Sequence, residues 1–423
     1  MKIKKHSGVI STLIFSFITS FGILLMTPII LQNYGQNIYI LWSISNSICA
    51  LLYIFDFGIT SVASQKFLSI FKNTGIFSKD SWAAFLRLHF KVLILASISL
   101  IIIFLLQIYF QKNLRISFSS FAIFLLTILS TLTTIICHQQ IIKYQIKENY
   151  HMALYILSVT KLFETTLVIF LLFIAVNFVA ICTSLLAVRC LQLLVLQRLS
   201  KMSFHEKNKN LNAHKGPEFK SSIFMGPILY SASSVLGIHA TFLLQSIFMN
   251  PSQTVTVLIT RMVASPIRIF ADSLAIGNFD KFLNNSILDP STKSRRTEMF
   301  LMREHWVLIL FSIPYIAIAN LLGRDLVDFL SSGQLQANFV LLNLFCIATV
   351  LDGLIVIFMQ FRIAKGLQQW IGLMYLAATI LGFIVLVILV PYLDLYAGAA
   401  SIIVCNLLFI SRKFFSKGLK LEN

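Results

Sequence analysis

Apolar positions along this chain come in blocks of about 20 residues, broken by short polar connections, rather than in the alternation of a strand or the single stripe of a surface helix. A block of that length can cross a bilayer as a helix, and in hydrocarbon a helix is one of the few structures that satisfies its own backbone. The pattern predicts twelve spans, at 9–31, 38–59, 92–110, 117–138, 153–173, 178–197, 223–248, 254–279, 304–322, 337–361, 367–390 and 395–412. The stretch 153–197 is nearly continuous but too long for one crossing, so Asn177 is expected to mark a hairpin inside it. Another short connection falls at 361–367, around Arg362 and Lys365. The expected fold class is an all-α polytopic membrane protein with twelve transmembrane helices.

Composition agrees. The chain is 57% hydrophobic and 12% charged, half the charge of an ordinary soluble domain. The start, Met1-Lys-Ile-Lys-Lys5, has the basic character of a signal peptide, but the apolar run from Val9 to Leu31 is too long for one. It lacks a small-x-small cleavage site and reads as a retained first span.

The net charge of +18 is distributed by side. Twenty-seven of the 34 Lys and Arg residues fall at the termini and in alternate connections, against Lys112, Arg115 and Arg324 on the other side. By the positive-inside rule both termini are cytoplasmic. Because the basic residues punctuate the spans, no nucleic-acid partner is expected. The longest connections, 198–222 and 280–303, are polar, and the first divides the chain into residues 1–200, a basic linker 201–222, and residues 223–423. Asp56 and Asp272 lie 216 residues apart, about half the chain, and each follows a turn by the same interval. Transporters are often built from such repeats.

Candidate chemistry lies in charges placed deep in the spans. Lys161, Arg189, Arg261 and Arg268 each sit within an apolar block, where a charge costs about 2.5–3.5 kcal/mol and marks a substrate or ion pathway. Arg261 and Arg268 are seven residues apart and share a helix face, with Pro266 between them. Their forked donors suit a phosphate or carboxylate. The structural alternative has Arg268 held by Asp272, four residues on, and Arg261 reaching outward. Lys161 and Glu164 are spaced to neutralise each other, as a structural or gating pair or as a ligand contact. Arg189 has no acid within helical reach and needs a partner from another helix or a substrate. His239 is either a hydrogen-bonded core residue or a ligand or proton-linked group. Asp352 either balances an arginine or carries a coupling cation. Four deep cations face three deep acids, which favours an anionic substrate.

Six cysteines, at 49, 137, 182, 190, 346 and 405, all lie in apolar runs without metal-ligand spacing, and read as small core residues. There is no HExxH, P-loop or GxSxG motif. The sequence predicts no enzyme, no metal and no cofactor.

The segment Gly22-Ile-Leu-Leu-Met-Thr-Pro28-Ile-Ile-Leu-Gln-Asn-Tyr-Gly35-Gln-Asn-Ile-Tyr39, followed by Leu51-Leu-Tyr-Ile-Phe-Asp56-Phe-Gly58-Ile, resembles the opening of the Wzx-type polysaccharide flippases. The resemblance covers about residues 8–70 and rests on Pro28, Gly35, Asp56 and Gly58. That family belongs to the multidrug/oligosaccharidyl-lipid/polysaccharide exporter superfamily. The resemblance implies a MATE-like fold of two six-helix lobes around a central cavity, opening alternately to the two sides of a bacterial inner membrane. It implies an undecaprenyl-diphosphate-linked oligosaccharide, an O-antigen or capsule repeat unit, as substrate. Membrane lipids, a polysaccharide polymerase and a chain-length regulator are the implied partners. Cavity cations are expected to meet the diphosphate; this extends to Arg189, Arg261 and Arg268 by residue type and depth. Asp56 reads as a polar helix end or a gate. The drive would come from consumption of the product, or from a proton or sodium gradient acting on Asp352, Glu164 or His239. Rival readings are a multidrug or cation antiporter of the same superfamily, and a membrane polysaccharide polymerase or ligase.

Overall fold

The computed structural model describes residues 7–54, 79–110, 117–146, 150–202, 222–277, 293–364 and 369–415, together with Asp56, Ala63 and Phe67. The basic segment 1–5, Gly58, most of the 201–222 linker and the first part of the 280–303 connection lie outside the described residues. Helices follow in the order α1 (Ser7–Ala50), α2 (Lys79–Phe110), α3 (Phe118–Ile146), α4 (Tyr150–Phe173), α5 (Phe178–Met202) and α6 (Ser222–Val235). A π-turn at Leu236–Ala240 leads α6 into α7 (Thr241–Phe248). Then come α8 (Pro251–Gly277), α9 (Lys293–Ser331), α10 (Phe339–Ala364), α11 (Gln369–Leu393) and α12 (Ala397–Phe415).

Among the described residues ten stretches are long and apolar enough to cross a membrane, and two of them each contain two crossings. In α1 the break is Gly35, with φ 79° and ψ 173°, a conformation that glycine adopts without a Cβ penalty. The Tyr39 side chain lies within hydrogen-bonding reach of Thr27. In a straight helix those residues would stand about 18 Å apart along the axis, so the chain folds back at Gly35. The second case is the 370–411 stretch, where a 3-10 turn at Asp394–Tyr396 separates α11 from α12. With α6 and α7 as one crossing, the twelve predicted spans are all present.

Asparagines start several helices. Asn177 Oδ1 accepts the Val179 N–H at 3.0 Å, placing the predicted hairpin at 174–177. Asn250 and Gln253 exchange backbone-to-side-chain bonds of 3.0 and 2.8 Å, a reciprocal capping box with Pro251 at the first helical position. Asn338 Oδ1 accepts from the Leu341 N–H at 3.0 Å.

Side-chain bonds gather five of the connections at one end. Gln36 Nε2 donates to Gln334 Oε1 at 3.1 Å, and Ser332 Oγ to the Pro28 carbonyl at 3.1 Å. Tyr34 OH donates to the Val176 carbonyl at 2.5 Å. Asn338 Nδ2 meets Tyr396 OH at 2.9 Å, and Gln245 Nε2 donates to the Asp394 and Leu395 carbonyls. The turns at Gly35, 174–177, 249–250, 332–338 and 394–396 therefore share an end, as alternation of the spans requires. The opposite end, where the described helices lead towards the connections with the basic excess, is called the basic end below.

Some boundaries differ from expectation. α9 continues through the predicted connection 323–336 as far as Ser331, because Val327 and Leu330 bury an apolar face there. α2 begins at Lys79, thirteen residues before the predicted span. Five cysteines are buried as expected, but Cys190, on α5, is exposed.

The packing centres on α1, which contacts α4 in the first half of the chain and α8 in the second. α3 packs on α5, α8 on α10, and α6 on α11. The α6–α11 approach is close: a Cβ at Gly372 would stand 2.6 Å from the Gly226 carbonyl oxygen. Small residues at such crossings let backbones approach in the absence of a hydrophobic drive between helices.

Candidate substrate cavity

A cavity of about 400 Å³ is bordered by both arms of the α1 hairpin, by α3, α4 and α5, and by one face of α8. Its wall carries Lys161, Glu164, Arg189 and Arg261 among hydroxyl, amide and apolar side chains. Thus two of the three predicted arginines border one space, with Lys161 beside them.

Lys161 and Glu164, one turn apart on α4, form an ion pair. Arg189, on α5, supplies the interhelical contact that its own helix could not. Its Nε lies 3.3 Å from Glu164 Oε2, and its Nη1 donates to Thr134 Oγ1 at 2.8 Å and the Ser130 carbonyl at 3.3 Å. Glu164 is therefore shared by two cations. Its side chain is 6% exposed, whereas those of Lys161 and Arg189 are 20% and 22% exposed. An anion entering the cavity meets the cations before the carboxylate.

Arg261 enters from the other side on α8. Its one hydrogen bond is a long one, Nη1 to the Ile238 carbonyl at 3.4 Å, and it makes no ion pair among the described residues. Ile238 lies in the π-turn, a helical irregularity frequent at functional sites. α8 stays helical through Pro266. Proline removes the N–H that would serve the Met262 carbonyl, and Ser265 Oγ donates to that carbonyl at 2.7 Å instead. Tyr315 OH donates to the neighbouring Val263 carbonyl at 2.5 Å. Hydroxyls thus repair the backbone beside the cavity, as membrane helices require.

Arg268 does not border this cavity. Its Nε contacts both Asp272 oxygens at 3.0 and 3.1 Å, its Nη1 pairs with Asp352, and its Nη2 reaches Ser234 Oγ at 3.4 Å. Asp352 is buried and also faces Tyr375 OH at 3.5 Å. The structural alternative for Arg268 is the arrangement found, with Asp352 as a second acid from α10. Asp352 also lines a small polar pocket with Ser234, Tyr375, Thr379 and Asn406. His239 lies on the π-turn outside the cavity lining, and its buried Nδ1 has no hydrogen-bond partner among the described residues.

Asp56 is 1% exposed near the basic end. Its Oδ1 lies 4.0 Å from His89 Nε2 and its Oδ2 3.8 Å from His138 Nδ1. Neither histidine stands out in the sequence, because each comes from a different helix and no local spacing links them to Asp56.

The cavity wall holds three cations and one carboxylate, so its formal balance is two positive charges. Such a wall, partly apolar, suits an anion with neutral polar groups attached. Among the described residues no group of His, Cys, Asp or Glu has the arrangement of a metal site.

No protein-family model and no curated protein sequence matches the chain. Solved structures do match in fold. A eukaryotic MATE transporter, AtDTX14, superposes with a TM-score of 0.61 at 13% identity over 98% of this chain and 95% of that one. The MATE multidrug transporter DinF-BH, solved with a bound ligand, gives 0.59 at 14% identity over 100% and 97%. The Vibrio cholerae MATE transporter VcmN gives 0.55 at 12% identity over 99% and 95%. These likenesses run almost the full length of both chains, and the protein has the fold of the MATE transporters.

Proposed function

We propose that this protein is a flippase that moves an undecaprenyl-diphosphate-linked oligosaccharide across the bacterial inner membrane. The observation that carries this reading is the position of Arg261, a deep arginine without an acidic partner among the described residues, in the same cavity as Lys161 and Arg189. A diphosphate diester has one acidic oxygen on each phosphorus, which matches the two unbalanced positive charges. Guanidinium forks suit phosphoryl oxygens. The hydroxyls and amides of Thr127, Ser130, Thr131, Asn46 and Ser47 offer partners to sugar hydroxyls.

In this reading residues 1–200 and 223–423 act as two lobes that rock about the α1–α8 contact, and the basic end faces the cytoplasm. The head group occupies the cavity while the polyprenyl tail stays in lipid. Drive comes from consumption of the flipped product or from an ion gradient. The activity is transport, with no bond made or broken in the substrate.

The test is binding to the purified full-length protein in nanodiscs. A short-chain polyprenyl diphosphate sugar and a lipophilic cationic rhodamine dye are titrated against wild type, Arg261→Gln and Arg189→Gln. Saturable binding of the diphosphate that weakens by about tenfold or more in either variant supports the reading. Binding of the dye with no diphosphate binding replaces it with a multidrug antiporter.

A further inference from the structure

The turn between α6 and α7 is braced from two directions. The Thr241 N–H bonds to the Leu236 carbonyl, five residues back, which makes the segment a π-turn. Such turns are rare and are frequent at functional sites. The Thr241 N–H is thereby withdrawn from the Gly237 carbonyl, and the Thr241 hydroxyl serves that carbonyl instead at 2.7 Å. The next carbonyl, that of Ile238, accepts from Arg261 Nη1 at 3.4 Å. One brace therefore belongs to the turn, and the other comes from the cavity wall on α8.

The turn also stands where the halves meet. α1 packs against it. Gly237, Ile238 and Thr241 line the small pocket that contains Asp352, the partner of Arg268. α7, which follows the turn, is gripped by the first half. Gln107 Nε2 on α2 donates to the Leu243 carbonyl at 3.0 Å and to Ser246 Oγ at 3.1 Å, and these contacts are buried. Any motion of α7 relative to α6 is thus felt at an inter-half contact.

Arg261 holds a neutral acceptor at a distance where a hydrogen bond is weak. A phosphoryl oxygen offers a charge-assisted bond about twice as strong as a neutral one. The other two cavity cations, Lys161 and Arg189, stand on α4 and α5 in the first half, whereas Ile238 belongs to the second. An anion shared with those cations pulls the guanidinium away from the turn. We propose, on the reading of the cavity as an anion site, that Arg261 is its occupancy sensor. With no anion present Arg261 braces the π-turn through the Ile238 carbonyl. An anion held with Lys161 and Arg189 withdraws that brace, and α7 is freed to turn against α6 and slip from Gln107. The π-turn is the two-state element, and the Gln107 contact is its output at the end that gathers the turns.

By linkage, an anion that favours the released turn must bind more tightly when the turn is loosened. Thr241 does not border the cavity, and Thr241→Val removes its hydrogen bond at nearly constant shape. The full-length protein in nanodiscs is titrated with inorganic pyrophosphate at fixed ionic strength, and amide hydrogen exchange is followed with and without it. In the wild type, saturating pyrophosphate is expected to speed exchange across residues 236–246 by about fivefold or more, the lower end of ordinary allosteric coupling. Thr241→Val binds pyrophosphate about fivefold more tightly, the effect of one lost hydrogen bond on the turn. Thr241→Ser, which keeps the hydroxyl, binds as the wild type does. In Arg261→Ala, exchange at the turn is fast already and indifferent to pyrophosphate. Pyrophosphate binding that Arg189→Gln weakens, with unchanged exchange at the turn, overturns the sensor and leaves the anion site standing. Absence of pyrophosphate binding overturns both. Slower exchange at the turn also overturns the sensor, because Arg261 then meets the anion without leaving Ile238. Should the Thr241 variants fail to yield monodisperse protein, the wild-type exchange comparison decides alone.

Discussion

Arg189 on α5 and Lys161 on α4 hold the two oxygens of one carboxylate, Glu164. The pair looks closed when read along α4 alone, yet Arg189 makes it a three-member group with one positive charge to spare. If the cavity takes an anion, as proposed above, Glu164 is positioned to compete with it for both cations. Glu164→Gln is expected to strengthen inorganic pyrophosphate binding by about fivefold, the effect of removing about 1 kcal/mol of competing attraction at a partly wet site. Isothermal titration of the purified protein at fixed ionic strength measures it. Weaker binding in the variant would assign Glu164 to holding the cations in place.

Arg268 is fixed by two acids of unlike burial. The Asp352 side chain is 8% exposed and that of Asp272 is 38% exposed. Removing one member of a buried pair costs about 3–5 kcal/mol, whereas an exposed pair contributes about 1 kcal/mol or less. Asp352→Asn should therefore lower the thermal unfolding midpoint in detergent far more than Asp272→Asn. The reverse order would show that the α8–α10 ion pair is not what holds Arg268.

The repair of α8 at Pro266 predicts a coupling. Ser265→Ala should destabilise the protein by about 1–2 kcal/mol, because the Met262 carbonyl loses its donor. With Pro266→Ala the helix regains an N–H for that carbonyl, and adding Ser265→Ala should then cost almost nothing. A double-mutant cycle from unfolding midpoints reads the difference. Additive effects would mean that Ser265 serves some other purpose.

The α6–α11 crossing depends on two glycines. A methyl group at residue 372 would press on the Gly226 backbone oxygen, which has no rotamer to escape through. Gly372→Ala is expected to cost about 1–3 kcal/mol, as overpacking does, and to lower the unfolding midpoint. Gly237→Ala, where the added Cβ meets nothing closer than 3.9 Å, is the matched control. Equal loss in both would refute close packing as the cause.

Much of this architecture is readable in the chain because hydrocarbon imposes simple rules. Block length places the twelve crossings, and a lone asparagine locates the 174–177 turn. The depth of Arg189 and Arg261 identifies two cations of one cavity. Relations between helices are not readable. Nothing local joins Arg268 to Asp352, 84 residues away, or Asp56 to His89 and His138. Arg268 therefore reads as a third cavity arginine, and the two histidines draw no notice. The long α9 is hidden for a different reason: Arg324, Asp325 and Asp328 break the apolar block, although Val327 and Leu330 keep a buried stripe through it.

The hairpin at Gly35 has a mechanical consequence. Both arms of α1 border the cavity, Thr19 to Ile30 on one and Tyr39 to Ser47 on the other. A Cβ placed on Gly35 would find no atom of the described residues within 4 Å. Nothing among the described residues is wedged against the α-carbon itself, and the turn is held through the side chains of its neighbours, Tyr34 on the Val176 carbonyl and Gln36 on Gln334. Small rotations about one α-carbon can spread or narrow the arms. The width of the cavity is in that sense adjustable at a single residue.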